Sequence, residues 1–243
     1  MRGARTLLPD FTRYALGVQY YGPAYNGWTP SNNSPPGQRY LPTILSTAIE
    51  RFVGADNYAN LLVSSRTDAG VHAFRNVIQV DLARSTKSSS HSAFSTDVVR
   101  RAINHHLQIE QVCITDVQEM DANFDARGCA TGRTYVYRIH SLSPSVIGHN
   151  KIPMNSYLFH SDRAWVHGPL DTALMREAAG YFMGEQDFTS VQGPQCQSPS
   201  AWRDVQRLDV VAHKPRELVA DNSDATRSIF LMVTSQYYIF KFL

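Results

Sequence analysis

The chain has only three cysteines in 243 residues, Cys113, Cys129 and Cys196. Their odd number and long spacing argue against a disulfide framework and against a zinc ribbon or knuckle. They are typical of small apolar side chains in a reducing compartment. The nine histidines include no HExxH sequence and no pair four residues apart, so the sequence gives no support for a metal site.

Long hydrophobic runs are also missing. No stretch approaches the roughly 18 apolar residues that cross a bilayer, and the N-terminal MRGARTLLPDF is too short for a secretory signal. These patterns predict a soluble, intracellular protein that makes no membrane contact. The basic residues Arg2, Arg5 and Arg13 leave both the cytoplasm and the mitochondrion open as its location.

The chain also has little net charge. The formal net charge is +2, so the chain lacks the strong basic surplus of a general nucleic-acid-binding protein. The small surplus lies in residues 1–112, which is compatible with phosphate contacts but is also common on proteins with neutral ligands. With 43% hydrophobic and 18% charged residues, the composition is that of a folded core and not of a disordered segment.

The periodicity of apolar residues divides the chain into two successive units, residues 1–112 and 113–243. The first contains the elements strand 14–20, helix 42–54, strands 60–65 and 76–82, helix 95–107 and strand 111–117. This order is typical of a ferredoxin-like or RRM-like unit. The second repeats it only in part, with strand 133–140, helix 170–184 and strands 202–211 and 227–236.

The predicted fold is therefore α+β. Two tandem RRM-like units, the second incomplete, are expected to form one mixed, largely antiparallel sheet with helices on one face. The other face of such a sheet would be open, and it is a surface on which single-stranded RNA is often bound. Fold alone does not establish that use.

The segment SSRTDAGVHAF, residues 64–74, places polar residues between two apolar strands. In extended backbone, Arg66 and Asp68 project to the same side, and Gly70 permits a sharp bend after them. This predicts a carboxylate displayed at the mouth of a cleft with a guanidinium beside it. A simple turn with a solvated ion pair is the alternative that these residues alone leave open.

Read as a string, SRTDAGVHA closely resembles the RTDAGVH motif of the TruA-type tRNA pseudouridine synthases. Three further blocks resemble that family in the same order along the chain. They are VQYYGPAYNGW (18–28), with Tyr21 where Asp is usual, NFDARGCATGRTYVYRI (123–139) and LMREAAGYFMGEQDFTSV (174–191). The blocks cover most of the chain.

The resemblance implies conversion of uridine to pseudouridine in tRNA, expected in the anticodon arm, by a homodimer that needs no cofactor and no metal. Asp68 matches the family's catalytic Asp, whether as nucleophile or as base. Arg66 matches the residue that holds the nucleotide out of its stack, and Tyr135 matches the residue that packs on the target uracil.

Three other residues are candidate RNA contacts. His72 lies in the motif, where it is expected to position the turn or to contact RNA. Arg127 and Arg133 are candidate phosphate contacts, and each is equally well explained as ordinary surface charge.

One part of the family pattern is not matched. The family continues past the strand resembling SIFLMVTSQYYIFKFL (228–243) into a helix with V-R-x-x-x-G, whose Arg pairs with the catalytic Asp. Lys241 is the nearest cation, and an ammonium is a poor substitute for a planar bidentate fork. A carboxylate in a partly desolvated pocket is less readily ionised when no cation pairs with it. We therefore expect this chain, made alone, to have little or no synthase activity.

Two other classes of function stay open at this stage. One is a non-catalytic RNA-binding remnant of a pseudouridine synthase. The other is a metal-dependent hydrolase that uses Asp68, His72 and Asp81, which has only the types of these residues in its favour.

Overall fold

The structure, a computed structural model, describes residues 6–29, 35–84, 93–142, 164–167, 169–191, 200–213 and 226–235. Its α-helices and strands follow in the order β1 (Thr12–Tyr20), α1 (Leu41–Val53), β2 (Tyr58–Val63), β3 (Ala73–Leu82), α2 (Thr96–His106), β4 (Val112–Met120), β5 (Arg133–Leu142), β6 (Ala164–His167), α3 (Thr172–Gly180), β7 (Gly184–Asp187), β8 (Trp202–His213) and β9 (Thr226–Ser235). The predicted α+β class is confirmed. Within these ranges, no helix has both the length and the apolar character needed to span a membrane.

The first unit is built on a four-stranded antiparallel sheet with the order β2-β3-β1-β4. Helix α1 connects β1 to β2 and α2 connects β3 to β4, which is the predicted ferredoxin-like order. Alternate residues of β1, including Leu16 and Val18, are fully buried in the core with Leu45 of α1 and Ile103 of α2. The alternation of apolar residues along β1 therefore arises because one face of the sheet packs on both helices.

Both helices of this unit begin where their terminal residues predict, and α1 also ends at its predicted residue. Pro42 lies in the first turn of α1, and Gly54, with φ of 93°, follows its last residue. The side chain of Ser95 caps α2 by accepting a hydrogen bond from the Val98 N–H.

The boundary between the units lies further along the chain than predicted. Strand β4 pairs with β1 from Val112 to Met120, so a division at residue 112 would separate it from the sheet that it completes. The chain divides instead between Ala130 and Thr131. The segment that follows β4 belongs to the first unit because it packs back on that unit's sheet.

That packing also corrects the expectation of an open sheet face. Arg13 of β1 and Asp81 of β3 are cross-strand partners on the face away from the helices, and both are 0% exposed. The Arg13 guanidinium bonds both carboxylate oxygens of Asp81, at 2.7 and 2.8 Å. It also donates to the carbonyls of Ala122 and Phe124. The segment after β4 therefore covers this end of the face.

The second unit has a five-stranded sheet with the order β6-β5-β9-β8-β7. Strand β6 is parallel to β5, and the other neighbours are antiparallel, so the sheet is mixed and largely antiparallel as predicted. Strands β5, β8 and β9 and helix α3 correspond to predicted elements, whereas β6 and β7 were not predicted. The buried residues of this unit include Phe188, Val205 and Val233 beside one another, and Ala179 of α3 against Val210 of β8.

The described strands are hydrogen-bonded in two sheets, one in each unit, in place of the single sheet that was expected. Strand β4 is the last strand along the chain to pair in the first sheet, and β5 is the first strand of the second sheet. Lys241 and the residues that follow Ser235, on which the expectation of a missing cationic partner rests, lie outside the described residues.

Candidate functional site

The loop that carries Asp68 joins β2 to β3 and lies against the loop that follows β1. The Trp28 N–H donates to the Thr67 carbonyl at 3.1 Å, and the Gly70 N–H donates to the Tyr25 carbonyl at 3.2 Å. Asp68 itself is exposed, and its carbonyl accepts from the Val71 N–H at 3.3 Å. The main chain on either side of Asp68 is thus held by Tyr25 and Trp28, although the residue itself is exposed.

Two glycines allow these loops to touch. A Cβ on Gly27 would lie 2.6 Å from the Thr67 carbonyl oxygen and 2.9 Å from the Asp68 carbonyl carbon, and the φ of Gly27 is +84°. A Cβ on Gly22 would lie 2.3 Å from the Gly70 carbonyl oxygen. Glycine is required at both positions because the neighbouring atoms are backbone and cannot move aside alone.

Replacing Gly27 by Ala tests this contact against a matched glycine of the same site. We expect Gly27→Ala to lower the free energy of unfolding by more than Gly70→Ala does, since Gly70, with φ of +78°, has nothing within 4 Å of an added Cβ. The Gly70 variant should lose only the cost of the left-handed backbone, about 1–2 kcal/mol. Urea unfolding of both variants measures the difference, and equal losses would contradict close packing of the two loops.

A network of buried polar side chains lies beneath the Asp68 loop. The Tyr20 hydroxyl lies 2.8 Å from Thr67 Oγ1, and both Trp28 Nε1 and Asn76 Nδ2 donate to it. Asn76 also donates to the Ser65 carbonyl at 2.7 Å. Sequence reasoning did not assign these residues to the site. Their only signal was that Tyr20 and Trp28 stand in the block 18–28, and their shared contact with Thr67 depends on the tertiary fold.

His72 connects the same two loops from the other side. Its Nδ1 accepts a hydrogen bond from the Gly22 N–H at 3.3 Å, and its ring packs edge-on against Tyr21 with 4.9 Å between centroids. Because Nδ1 is an acceptor, the proton of the neutral ring lies on Nε2. Of the two roles expected for His72, positioning the turn agrees with these contacts, and contact with RNA stays a prediction.

The other candidate side chains of the first unit are exposed. Arg66 is exposed two residues before Asp68. Arg127 is exposed in the segment after β4, where the Asp125 carboxylate accepts from the Arg127 N–H at 3.0 Å and from the Gly128 N–H at 2.5 Å. Both residues are exposed, as is required for the predicted role of Arg66 beside the unstacked nucleotide and for that of Arg127 as a phosphate contact.

Tyr135 and Arg133 both lie on β5 of the second unit. They are two residues apart, share one face of the strand and are half-buried, whereas Thr134 and Val136 between and beside them are exposed. Tyr137 continues the same face, and burial raises the pKa of its phenol. An aromatic and a guanidinium group thus lie side by side on β5.

Asp81, one of the three residues of the hypothetical metal site, is engaged in other contacts in the structure. Both carboxylate oxygens of Asp81 are bonded to the buried guanidinium of Arg13, and Asn60 Nδ2 donates to one of them at 2.7 Å. A carboxylate held in this way is not available to a metal beside the exposed Asp68 and half-buried His72. Among the described residues, no group of three or more His, Cys, Asp or Glu side chains is placed to hold a metal ion. The metal-dependent hydrolase is therefore unsupported.

The fold and the exposed Asp68 define an α+β protein with an aspartate on a loop that is held by main-chain hydrogen bonds, and comparison with known proteins gives its family. No protein-family model matches the chain. The curated relatives that match the chain include three proteins, described in turn, that carry the name tRNA pseudouridine synthase A. The protein of Brucella anthropi is 35% identical over 202 residues, covering 82% of this chain and 70% of the relative. That of Mesorhizobium japonicum is 36% identical over 201 residues, covering 82% and 71%.

The third relative, from Brucella ovis, is 35% identical over 201 residues, covering 82% of this chain and 70% of its own length. Identity of this extent is shared along most of both chains and is not confined to one motif. The chain belongs to the tRNA pseudouridine synthase A family.

Proposed function

We propose that this protein isomerises uridine to pseudouridine in tRNA and that Asp68 is its catalytic residue. The single observation that carries the proposal is the combination of an exposed Asp68 side chain with a main chain clamped at Thr67 and Gly70. A catalytic group has to be accessible to its substrate and held in one position, and this loop meets both needs. The name shared by the curated relatives supports the substrate class.

The reaction requires one bond to break and another to form within the same nucleotide. The bond from uracil N1 to ribose C1′ breaks, the base turns while it is held, and C1′ joins C5. The hydrogen leaves C5 for solvent and N1 gains a proton, so the product is an isomer of the substrate. An ionised carboxylate is suited to attack as nucleophile or to remove a proton, and Asp68 would supply it.

The remaining side chains would bind and orient the nucleotide. Uridine in a tRNA stem or loop has to leave its stack to be reached, which costs a few kcal/mol. In our proposal Arg66 helps to hold the nucleotide out, and Tyr135 packs on the uracil, where stacking contributes roughly 1–3 kcal/mol per base. Arg127 and Arg133 contact the phosphate backbone, and His72 fixes the turn.

The proposal extends to the uridines of the anticodon arm as substrate, to a homodimer as the active form, and to cytoplasm or mitochondrion as its location. Mapping of pseudouridine in tRNA from cells with and without the gene tests the substrate. We expect specific anticodon-arm uridines to be unmodified without the gene and modified again when the wild-type gene is restored. An unchanged pseudouridine map would contradict the function, and a loss confined to another arm would contradict the substrate position.

A further inference from the structure

The Tyr20 hydroxyl is the junction of the network beneath the Asp68 loop. Tyr20, Trp28 and Asn76 are 3, 6 and 7% exposed, so their polar atoms are satisfied within the protein. An indole N–H and an amide N–H are donors only, and a phenol oxygen accepts two hydrogen bonds. Trp28 and Asn76 therefore occupy both acceptor positions of Tyr20, and the phenol proton is directed to Thr67 Oγ1.

The orientation of the Asn76 amide is fixed by its other contacts. Its nitrogen donates to the Ser65 carbonyl at 2.7 Å, and its oxygen lies 3.0 Å from Ser64 Oγ, which donates to it. A flipped amide would place two acceptors together at Ser65. The direction of the Tyr20 proton therefore follows from groups whose roles cannot be exchanged.

Thr67 is held at two points as a result. Its side chain accepts the proton of Tyr20, and its carbonyl accepts the N–H of Trp28. Trp28 in turn donates its indole N–H to Tyr20. The residue immediately before Asp68 is thus fixed in both its side chain and its main chain by the same pair of buried aromatic residues.

We propose that Tyr20 is a positioning residue for Asp68. Tyr20 acts through Thr67, which it holds in place, so that the Asp68 carboxylate is presented in one orientation. This inference rests on the function proposed above. It goes beyond core packing, a role that Tyr20 shares with Tyr14. Tyr14 lies on the same face of β1, is also buried, and donates its hydroxyl proton to the Phe94 carbonyl at 2.7 Å.

Tyr14 therefore supplies a matched control. Tyr20→Phe and Tyr14→Phe each remove one buried phenol oxygen from the same strand, and only the first lies in contact with the Asp68 loop. In single-turnover assays with tRNA, Tyr20→Phe should lower the isomerisation rate ~10–100-fold, as expected for a displaced catalytic group. Its dissociation constant for tRNA should stay within about twofold, because no group that contacts RNA is removed. Tyr14→Phe should retain the wild-type rate.

Two variants of Thr67 separate positioning from a general loss of packing. Thr67→Val removes the hydroxyl at constant shape and should reproduce the rate loss of Tyr20→Phe, while the double variant should be no slower than either single one. Thr67→Ser keeps the hydroxyl and should retain the wild-type rate. Additive losses in the double variant, or a slow Thr67→Ser, would overturn the proposed route through Thr67.

Amide hydrogen exchange at Gly70 gives a readout that does not depend on activity. The Gly70 N–H is bonded to the Tyr25 carbonyl, outside the network, so its exchange reports how firmly the loop is held. It should accelerate in Tyr20→Phe and not in Tyr14→Phe. Equal behaviour of the two variants in both exchange and rate would overturn the inference. Faster exchange in a protein that forms no pseudouridine would overturn the proposed function and leave the loop's dependence on Tyr20 established.

Discussion

Asp68→Asn is expected to abolish pseudouridine formation while leaving the fold and tRNA binding intact. The side chain is exposed, and Asn has nearly the same shape, so the free energy of unfolding should change by no more than about 0.5 kcal/mol. The amide is neither a base nor a nucleophile at neutral pH. Loss of a general base alone lowers rates by roughly 10²–10⁴-fold, and loss of a nucleophile lowers them further.

A second carboxylate controls for the loss of one negative charge. Asp97 on α2 is 54% exposed and pairs with Arg100 and Arg101 of its own helix. Asp97→Asn should retain the wild-type rate of isomerisation. A comparable loss in both variants would mean that charge on the first unit matters, and not the carboxylate of Asp68 itself.

Of the substitutions named in these predictions, Arg13→Met is expected to lower the free energy of unfolding the most. The substitution leaves the Asp81 carboxylate buried without its cation and removes the donor to the Ala122 and Phe124 carbonyls. Hydrogen bonding to Asp81 raises the pKa of Arg13, against the opposing effect of burial, so the guanidinium is charged in the native state. Removal of one partner of a buried pair typically costs about 3–5 kcal/mol.

Arg75→Met is the matched control on the same sheet. Arg75 pairs with Asp116 through two hydrogen bonds of 2.7 and 3.1 Å, but the two side chains are 61% and 47% exposed. An exposed pair of this kind contributes roughly 0–1 kcal/mol. Urea unfolding of both variants measures the contrast, and a small loss in Arg13→Met would show that the segment after β4 does not depend on this pair.

The first unit was largely predictable because its signals are local. Alternating apolar residues placed β1 and β3, and terminal residues such as Pro42, Gly54 and Ser95 placed the helices within about two residues. Strands β6 and β7 were missed because each has four residues, too few to establish a period, and β7 reads GEQD. Strand β7 pairs with β8, and intrinsic propensity does not predict such a pairing between separate segments of the chain.

The packing of the segment after β4 on one end of the first sheet was not predicted, for a different reason. Arg13 and Asp81 each look like an exposed polar residue of an alternating strand. They are 68 residues apart in the sequence, and only the pairing of β1 with β3 joins them. In the site too, some features follow from neighbouring residues in the sequence and others from contacts between residues far apart in it. The exposed Asp68 and Arg66 follow from the motif, whereas the contact of Gly27 and Tyr20 with Thr67 requires two loops to meet.

Release of tritium from tRNA labelled at C5 of uridine tests the central claim most directly, because joining C1′ to C5 expels that hydrogen. Protein is used in excess over tRNA so that even the low activity expected of this chain made alone is measured, and we predict that the wild type releases tritium in proportion to the pseudouridine formed. Asp68→Asn should bind the same tRNA and release none above background. Binding without release by the wild type would favour a non-catalytic RNA-binding protein, and release by Asp68→Asn at the wild-type rate would contradict the assignment of Asp68.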